Sequence, residues 1–481
     1  MADIINTVNG WVWSPALVAL CLAAGLYFSF GTRFVQVRRF GEMARLLFST
    51  DKSQKTGITS FQAFSMALSG RVGTGNIVGV ATAIGYGGPG AIVWMWIIAF
   101  LGAGSAFAEA TLAQIFKENH KGEYRGGPAY YIEKGLKVRW LAVVFAVCAV
   151  VACGLFLPPV QSNGIAISFA NTFHVNPAWI GLAVALLIGI VIIGGVKRIA
   201  NVAQIVAPFM AILYILLSLI ILIIHIQDVP AVFGDMIRGA FGMNEVFGGI
   251  LGSTIAWGVK RGIYSNEAGQ GTAPIVAAAA KVSHPVKQGM VQAFSVYVDT
   301  LLVCTATAIM ILACKTYNVY DAQGGLLVAS QVTQLGEPDV SYTTAAISTL
   351  IGGKMAGLVV SFALFFFAFT TIMAYYYYAE TNLVYLFGKG RRERLCIWIL
   401  RICLIASVFY GSLNKASLVW SLGDIGVGAM AWINIVAILL LSRIAFRALR
   451  SYERQKKEKK EPVFNPDELN IKNASFWQNK S

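Results

Sequence analysis

The stretch FSMALSGRVGTGNIVGVATAIGYGGP, residues 64–89, is apolar and long enough to cross a bilayer, yet it contains residues that disfavour a spanning helix. Glycine occupies positions 70, 73, 75 and 79, and Arg71 lies between the first two of them. Each glycine costs a helix ~1 kcal/mol, and an arginine at mid-membrane is expensive unless the protein interior uses it. Backbone leaves the helical state at membrane depth only where protein or a wet cavity satisfies its polar groups. The stretch therefore predicts a helix that is broken at mid-membrane and lines a binding site.

The composition of the whole chain places this stretch in a membrane protein. Of the 481 residues, 57% are hydrophobic and 13% are charged, whereas a soluble protein carries about 25% charged residues. The seven cysteines lie mostly in apolar runs without CxxC spacing, so we expect reduced packing residues that imply neither a disulfide nor a metal site. The composition predicts an all-α polytopic membrane protein.

Apolar runs of about 20 residues mark the predicted transmembrane helices. The interrupted runs around residues 70 and 265 are counted as one span each, and the run that contains Pro158 and Pro159 is expected to kink. On this basis the sequence predicts eleven spans, at residues 11–32, 62–86, 89–116, 139–170, 177–196, 199–225, 246–279, 287–313, 355–386, 394–412 and 417–445.

The lysines and arginines predict the orientation of these spans. With the N-terminus outside, 30 of the 38 Lys and Arg residues fall on the cytoplasmic side and four fall outside. The net charge of +15 is thereby explained by topology and an anionic inner leaflet, so we expect no nucleic-acid partner. Residues 449–481 are predicted to be a basic cytoplasmic tail, solvated and flexible because it is a charge run.

A second interrupted helix lies five spans after the first. The run TIAWGVKRGIYSNEAGQGTAPIVAAAA, residues 254–280, contains Lys260, Arg261 and Glu267 among four glycines. Two spans that are five apart cross the membrane in opposite senses. Interrupted helices at corresponding positions of two halves are typical of inverted-repeat transporters, whose site lies at the midplane.

Interrupted helices suit a zwitterionic amino acid and a cation. A half-helix that starts at mid-membrane presents free N–H groups and partial positive charge, which favour a carboxylate. A half-helix that ends there presents free carbonyls, which favour sodium or an ammonium group.

Several long motifs, in this order, resemble the sodium:alanine (alanine or glycine:cation) symporter family. They are SFQAFSMALSGRVGTGNIVGVATAI (60–84), GGPGAIVWMW (87–96), AEATLAQIFKE (108–118), YRGGPAYYIEKGL (124–136) and YSNEAGQGTAP (264–274). The resemblance covers spans two to eleven. It implies the bacterial leucine transporter fold: one extra N-terminal helix followed by a 5+5 inverted repeat with two broken helices.

The resemblance also implies ligands for the substrate and for sodium. The run Val72-Gly73-Thr74-Gly75-Asn76 matches the first core helix of that fold. By this match the N–H groups of Thr74 and Gly75 would hold the substrate carboxylate, with Asn76 beside them. Asn76 also matches a ligand of a second sodium, although Arg71 at the neighbouring matched position would repel a cation. The sodium ligands implied are the carbonyls of Ser69, Val72 and Phe367 and the hydroxyls of Thr370 and Thr371.

Other polar residues in the predicted spans add candidates. Tyr264 and Ser265 are expected to contact the substrate. Glu267 is expected to pair with Arg71 or Arg261, since an unpaired buried charge is too costly. The alternative for Ser265 to Glu267 is a polar hinge that only satisfies its own backbone. Gln161 follows the proline kink, and it is favoured over Asn163 as a substrate ligand, although a helix–helix hydrogen bond explains either amide. Asp299 is a candidate without an assigned role. Glu109, Glu380 and Arg401 lie nearer helix ends, where snorkelling or ion pairing suffices.

These features predict a sodium-coupled symporter of alanine or glycine that imports its substrate by alternating access across a bacterial cytoplasmic membrane. The predicted transmembrane domain comprises residues 1–448, with repeats at about 58–225 and 244–448. Glutamine as the substrate, and proton coupling through Asp299 or Glu267, remain alternatives. A channel is disfavoured because no ring of one charge sign is present. An enzyme is disfavoured because no catalytic or metal constellation is present.

Overall fold

The computed structural model describes residues 2–49, 56–243, 248–321, 323–330, 335–388 and 390–478. Across these ranges the protein is built from α-helices, and its strands form two short antiparallel hairpins. Strand β1 (Glu118–His120) pairs with β2 (Glu123–Arg125), and β3 (Val319–Tyr320) pairs with β4 (Leu326–Val328). The prediction of an all-α chain therefore holds for everything except these two connections.

The first half of the chain contains thirteen α-helices among its described residues. Helices α5 and α6 are the two halves of the first interrupted span. In order, the helices are α1 (Ala2–Val12), α2 (Pro15–Gly31), α3 (Val35–Arg38), α4 (Phe40–Leu46), α5 (Ser60–Arg71), α6 (Val80–Gly87), α7 (Gly90–Ile115), α8 (Pro128–Tyr131), α9 (Arg139–Val151), α10 (Leu157–Phe173), α11 (Pro177–Ile192), α12 (Gly195–Ile224) and α13 (Val229–Ala240).

The second half contains nine more α-helices in the described ranges. Helices α14 and α15 are the two halves of the second interrupted span. In order, they are α14 (Leu251–Asn266), α15 (Ala273–Ala279), α16 (Pro285–Tyr297), α17 (Thr305–Ala313), α18 (Val340–Ile351), α19 (Gly353–Phe387), α20 (Arg391–Leu413), α21 (Ala416–Lys457) and α22 (Ser475–Gln478).

Short π-helical turns join or extend several of these helices. They occur at Gly75–Gly79, Ile132–Leu136, Ala152–Phe156 and Val298–Cys304, and a 3₁₀ turn occurs at Gly248–Ile250. The turn at Ala152–Phe156 lies directly before Pro158 and Pro159, which supply no backbone N–H for an α-helical ladder. Because π-turns cluster at functional sites, those at Gly75–Gly79 and Val298–Cys304 direct attention to the centre of the molecule.

Eight helices in the described part of the chain are long and apolar enough to cross a membrane. They begin at Asp3, Gly90, Arg139, Gly195, Pro285, Gly353, Arg391 and Ala416. Large apolar side chains of α12, such as Ile205 and Ile223, are about two-thirds exposed, and only lipid is a suitable neighbour for such a surface. The protein is a multi-pass membrane protein.

The two interrupted spans form the centre of this assembly. Every residue from 63 to 85 and from 261 to 280 is buried. A plain spanning helix at the lipid boundary would expose one face, so these stretches are enclosed by protein on all sides. Their polar and irregular backbone is thus satisfied inside the protein, as the membrane requires.

Both interruptions lie in the middle of their spans, where glycine and polar residues predict them. Helix α5 ends at Arg71, and Val72 has extended backbone angles (φ −81°, ψ 94°). Helix α14 ends at Asn266, and Glu267, Gly269 and Gly271 have φ values of 56°, 80° and 89° before α15 begins. Positive φ suits glycine, so Glu267 is the strained member of this break.

The C-terminal residues contradict the prediction of a solvated, flexible tail. Helix α21 continues to Lys457, and the residues after it fold back onto the protein. Phe464, Ile471, Ala474 and Trp477 are at most 5% exposed. The charge run dominated the prediction, whereas the apolar and aromatic residues within it determine the observed packing.

Candidate substrate and ion site

Three backbone carbonyls converge on one hydroxyl at the first break. The Oγ1 atom of Thr371 on α19 lies 2.7 Å from the oxygen of Ser69, 3.2 Å from that of Val72 and 2.9 Å from that of Phe367. A hydroxyl has one proton to donate. Two of the three carbonyls therefore face Thr371 without receiving a hydrogen bond from it, which makes the cluster rich in negative partial charge.

The local backbone explains why the carbonyls of α5 are available. The last four carbonyls of a helix lack intrahelical partners, and α5 ends at Arg71. The break thus turns Ser69 and Val72 toward α19. By contrast, the hydroxyl of Thr370 lies 3.0 Å from each of the carbonyls of Phe366 and Phe367 on its own helix. Ser69, Val72, Phe367 and Thr371 are brought together, and Thr370 lies at the edge of this group.

A group of buried polar side chains, those of Thr74, Gln161 and Tyr264, adjoins the oxygen cluster, and we call it the polar pocket. The N–H of Thr74 donates to Oε1 of Gln161 over 2.9 Å, and the hydroxyl of Tyr264 faces both side chains. Within the described residues, Thr74 Oγ1 and Tyr264 Oη have no partner with regular hydrogen-bond geometry. Buried polar groups are normally paired, so these atoms indicate a place for a small polar ligand.

Two glycines let the walls of this pocket approach the backbone. A Cβ atom on Gly73 would lie 2.6 Å from Thr371 Oγ1 and 2.7 Å from Gln161 Oε1. A Cβ atom on Gly75 would lie 3.2 Å from the ring of Tyr264. The two distances at Gly73 are shorter than a Cβ atom tolerates. A side chain at position 73 would therefore displace Thr371 or Gln161.

Of the two amides that follow the proline kink, only Gln161 contacts this pocket. The Nδ2 atom of Asn163 donates to the carbonyls of Gly411 and Asn414, over 2.9 and 2.8 Å. Asn163 therefore joins α10 to the end of α20. It lies two residues, about half a helical turn, after Gln161 and so faces another side of α10.

Asp299 connects the two interrupted spans. Its carboxylate accepts from Asn76 Nδ2 over 2.7 Å, from Ser265 Oγ over 2.9 Å and from Thr300 Oγ1 over 2.8 Å. Asn76 follows the first break, and its Oδ1 also accepts from the N–H of Gly73 over 2.9 Å. The side chains of Asn76 and Ser265, both predicted at the substrate, thus point to a fully buried carboxylate.

Arg71 joins the end of α5 to the end of α14. Its Nε donates to the carbonyl of Asn266 over 2.6 Å, and its NH1 contacts Ser295 and the carbonyl of Gln292. Its charge also acts on Glu267 and Asp299, although among the described residues neither forms an ion pair with it. Between the two arginines considered for Glu267, the structure places Arg71 near it.

Arg261 has a different partner, Asp424, which was not among the predicted residues. The guanidinium contacts both carboxylate oxygens, over 2.8 and 3.3 Å, and lies 4.5 Å from the ring of Trp420. Lys260 contacts the same carboxylate over 2.6 Å. This cluster covers Tyr264, whose ring centroid lies 4.9 Å from that of Trp420. An acidic residue inside an otherwise apolar span was the available signal for Asp424.

The prediction that Glu109 snorkels at a helix end is wrong. Glu109 is fully buried, and it accepts from the N–H of Gly269 over 3.2 Å and from Asn434 Nδ2 over 2.8 Å. Asn434 also donates to the carbonyl of Gly269 over 2.9 Å. These two side chains satisfy the backbone of the second break. Glu380 instead pairs with Arg125, and Arg401 with the hydroxyl of Tyr376, as expected for residues near helix ends.

A cavity of about 820 Å³ lies toward one end of α10. Its lining includes Ser168 and Thr172 of α10, Ser341 and Thr344 of α18, and Gly357 of α19. Ser168 is two helical turns from Gln161, a rise of roughly 10 Å. The cavity therefore lies between helices α10, α18 and α19, about two turns of α10 from Gln161. We call the face that carries α18 the α18 face. The opposite face, where α7 and α15 end, is called the basic face after its lysines and arginines.

Comparisons with known proteins identify the family of the chain. A family model described as the sodium:alanine symporter family matches residues 1–466. The chain is 46% identical to a sodium/proton-dependent alanine carrier protein of Bacillus sp. (strain PS3), over 91% of this chain and 97% of that one. It is 42% identical to the "Probable sodium/glutamine symporter" of Bacillus subtilis (strain 168), over 98% of this chain and 95% of that one.

Among solved structures, a Na⁺-coupled sialic acid symporter in a substrate-bound outward-open state has a similar fold. The TM-score is 0.51, with 12% sequence identity, over 98% of this chain and 96% of that chain. At this identity the likeness concerns the fold alone.

Proposed function

The chain belongs to the sodium:alanine symporter family, a family of transporters and not of enzymes, and from this premise we propose that it carries a small neutral amino acid together with sodium into the cell. Alanine is the first candidate substrate and glycine the second. The observation that supports this proposal best is the convergence of three carbonyls on Thr371. Beside it lie the hydroxyls of Thr74 and Tyr264, which have no regular hydrogen-bond partner among the described residues.

Sodium would lie among Ser69, Val72, Phe367 and Thr371, with Thr370 at the edge. Sodium is a hard cation that oxygen atoms coordinate, and the site offers carbonyl and hydroxyl oxygens. The guanidinium of Arg71, the residue before Val72, is bound to the carbonyl of Asn266 and to Ser295. An ion at their centre would resolve the excess of acceptors around a single hydroxyl proton. The end of α5, with its partial negative charge, adds to the attraction.

The amino acid would lie between Thr74, Gly75, Gln161 and Tyr264. Its carboxylate would accept from backbone N–H groups at the break, where the positive end of the following helix lies. Gln161 and the hydroxyls of Thr74 and Tyr264 would bind its polar ends. Val72 and Thr74 are two residues apart, so ion and substrate would order the same short segment, which is the basis of their coupling.

Transport would proceed by alternating access between the two faces. We propose that the two interrupted spans and Pro177–Ile192 cross the membrane in addition to the eight long helices, which gives eleven spans and a 5+5 inverted repeat after the first. The α18 face would then be extracellular and the basic face cytoplasmic, in a bacterial inner membrane. The cavity at Ser168 and Thr172 would be the entrance.

The test is Thr371→Val in proteoliposomes with an imposed sodium gradient. The loss of one oxygen ligand should raise the sodium concentration for half-maximal alanine uptake by about tenfold, which corresponds to ~1.4 kcal/mol. Thr111→Val is the matched control, because that buried hydroxyl bonds to the carbonyl of Phe107 on its own helix over 2.7 Å. An unchanged sodium dependence in Thr371→Val would remove Thr371 from the ion site.

The same preparation separates the alternatives for substrate and mechanism. Competition by unlabelled glutamine stronger than that by alanine would reverse the substrate assignment. Counterflow, in which internal unlabelled substrate drives entry of labelled substrate, is expected of a carrier and absent for a channel.

A second candidate function is proton coupling, and Asp299 is the observation that favours it. Its buried carboxylate contacts both interrupted spans through Asn76 and Ser265. Binding or release of a proton there would change how the two spans are held together. On this alternative a pH gradient alone drives uptake, and Asp299→Asn abolishes that uptake while Asp235→Asn on α13 does not. If Asp299→Asn retains pH-driven uptake, Asp299 is not the proton carrier.

A further inference from the structure

The residues that follow α21 form a strap across the basic face. Residues 461–478, here called the C-terminal strap, contact α16, the segment before α16, and α7. Glu461 pairs with Lys287 of α16, and the N–H of Phe464 donates to the carbonyl of Ser283 over 3.0 Å. The indole N–H of Trp477 donates to the carbonyl of Gln114 on α7 over 2.9 Å.

Beneath the strap lies the junction of residues 279–281, which follows α15. The carbonyl of Ala280 accepts from Nζ of Lys117 over 2.9 Å and from Nε2 of Gln114 over 3.0 Å. The N–H of Ile58 donates to the carbonyl of Ala279, and the N–H of Lys281 donates to the carbonyl of Ile58. Ile58 precedes α5 by two residues, so the junction joins the basic-face halves of both interrupted spans.

The strap covers the groups that hold this junction. Lys117 is fully buried, and its ammonium lies 4.4 Å from the ring centroid of Tyr124, 4.5 Å from that of Phe476 and 5.4 Å from that of Trp477. Two aromatic rings of the strap thus lie beside the cation that holds Ala280. Trp477 also contacts the backbone of Gln114, the second side chain that reaches Ala280.

We propose that the C-terminal strap is an intracellular latch that keeps α5 and α15 together and must loosen before the site opens to the cytoplasm. This inference rests on the proposed function, since it assumes alternating access. A path from the Thr74 pocket to the basic face requires α5 or α15 to leave the junction. Either movement separates Ile58 or Ala280 from partners that the strap covers, so the strap adds a barrier to that half of the cycle alone.

The first test measures opening without measuring transport. In a cysteine-depleted background, Ala280→Cys is buried under the seated strap and should react slowly with a membrane-permeant maleimide. Double substitution of Phe464 and Trp477 by alanine should speed the reaction at least tenfold. The control is Val463→Ala, which changes an exposed strap residue and should leave the rate unchanged. Equal rates in the double variant and the control would overturn the latch.

The second test uses a strap that cannot loosen, so that loss of folding is not an issue. Lys287→Cys and Glu461→Cys, joined by a short bis-maleimide, should abolish net alanine uptake while sodium-dependent alanine binding persists. When a cleavable cross-linker is used instead, its cleavage should restore uptake. Full uptake in the cross-linked protein would contradict the latch, whereas loss of sodium-dependent binding before cross-linking would contradict the proposed function instead.

Discussion

Gly73 lies where the oxygen cluster and the polar pocket meet, and its lack of a side chain lets both contact the same peptide. A methyl group there would lie within 2.7 Å of Thr371 Oγ1 and Gln161 Oε1. Both atoms belong to side chains held by hydrogen bonds, so neither can withdraw without losing a contact. At the proposed sites, ion and substrate binding would therefore meet at a single residue, Gly73.

Gly73→Ala is expected to lower alanine uptake at least a hundredfold while the protein still reaches the membrane. Gly79→Ala in the same span is the matched control, because a Cβ atom there would meet its nearest neighbour at an ordinary 3.8 Å. The measurement is initial uptake rate normalised to the protein recovered from membranes. Similar rates for the two variants would show that Gly73 is not in contact with the transported species.

Individual residues differed in how far the sequence could identify them. Gln161 was found because a proline kink marks its helix, and Glu267 because a charge interrupts an apolar run. Asp424 and Asn434 were missed, since their partners Arg261 and Glu109 lie 163 and 325 residues away along the chain. A sequence shows that a buried polar group needs a partner, but only the packing of helices selects that partner.

At the scale of elements, the two interrupted spans were predictable because a membrane penalises glycine, charge and free backbone groups together. The predicted interruptions lie within a few residues of Arg71 and Asn266, where α5 and α14 end. The strap was not predictable in the same way. Its lysines and glutamates suggested a solvated end. Phe464 and Trp477 instead contact Ser283 and His284, directly before α16, and Gln114 of α7, which are remote in sequence.

The strap is expected to loosen as the cytoplasm becomes more acidic, through His284. The ring of His284 lies between those of Tyr452 and Phe464, 5.2 and 5.3 Å away, and its Nδ1 accepts from the N–H of Val286. Burial, with Lys287 nearby, lowers the pKa of His284 from 6.5 to about 3. Besides Lys287, the charged groups around it are Glu461, paired with Lys287, and Glu42, bonded to Tyr452.

The sign follows from the lowered pKa. The seated strap favours neutral His284, so the contribution of His284 to seating is fully present above pH 6.5, its unperturbed pKa. As the pH falls below 6.5, the equilibrium constant for seating the strap decreases about tenfold per pH unit. A spin label at Val463→Cys should therefore show a mobile fraction that grows between pH 6.5 and 5.5. His284→Gln should remove this dependence. An identical pH response in that variant would assign it to another group.

At the scale of the whole molecule, the proposed sites would make sodium and alanine partners in one binding equilibrium, because both use the break at residues 72–74. The carbonyl of Val72 belongs to the ion cluster, and the N–H of Thr74 belongs to the pocket. Each ligand would fix the backbone that the other needs. The ligand that binds second would therefore find the break already ordered. By thermodynamic linkage, the factor by which sodium tightens alanine binding must equal the factor by which alanine tightens sodium binding.

Equal factors of about 5 to 150, the usual range of coupling between sites, are expected from calorimetric titrations of the purified transporter at constant pH. Thr371→Val should reduce both factors together, because it weakens the ion that orders Val72, whereas Thr111→Val should leave both unchanged. Alanine binding that is indifferent to sodium would contradict coupling through the break. A different outcome is that the two factors agree at each pH and yet differ between pH 8 and pH 6. If this pH dependence disappears in Asp299→Asn, a proton takes part through the carboxylate that joins the two interrupted spans.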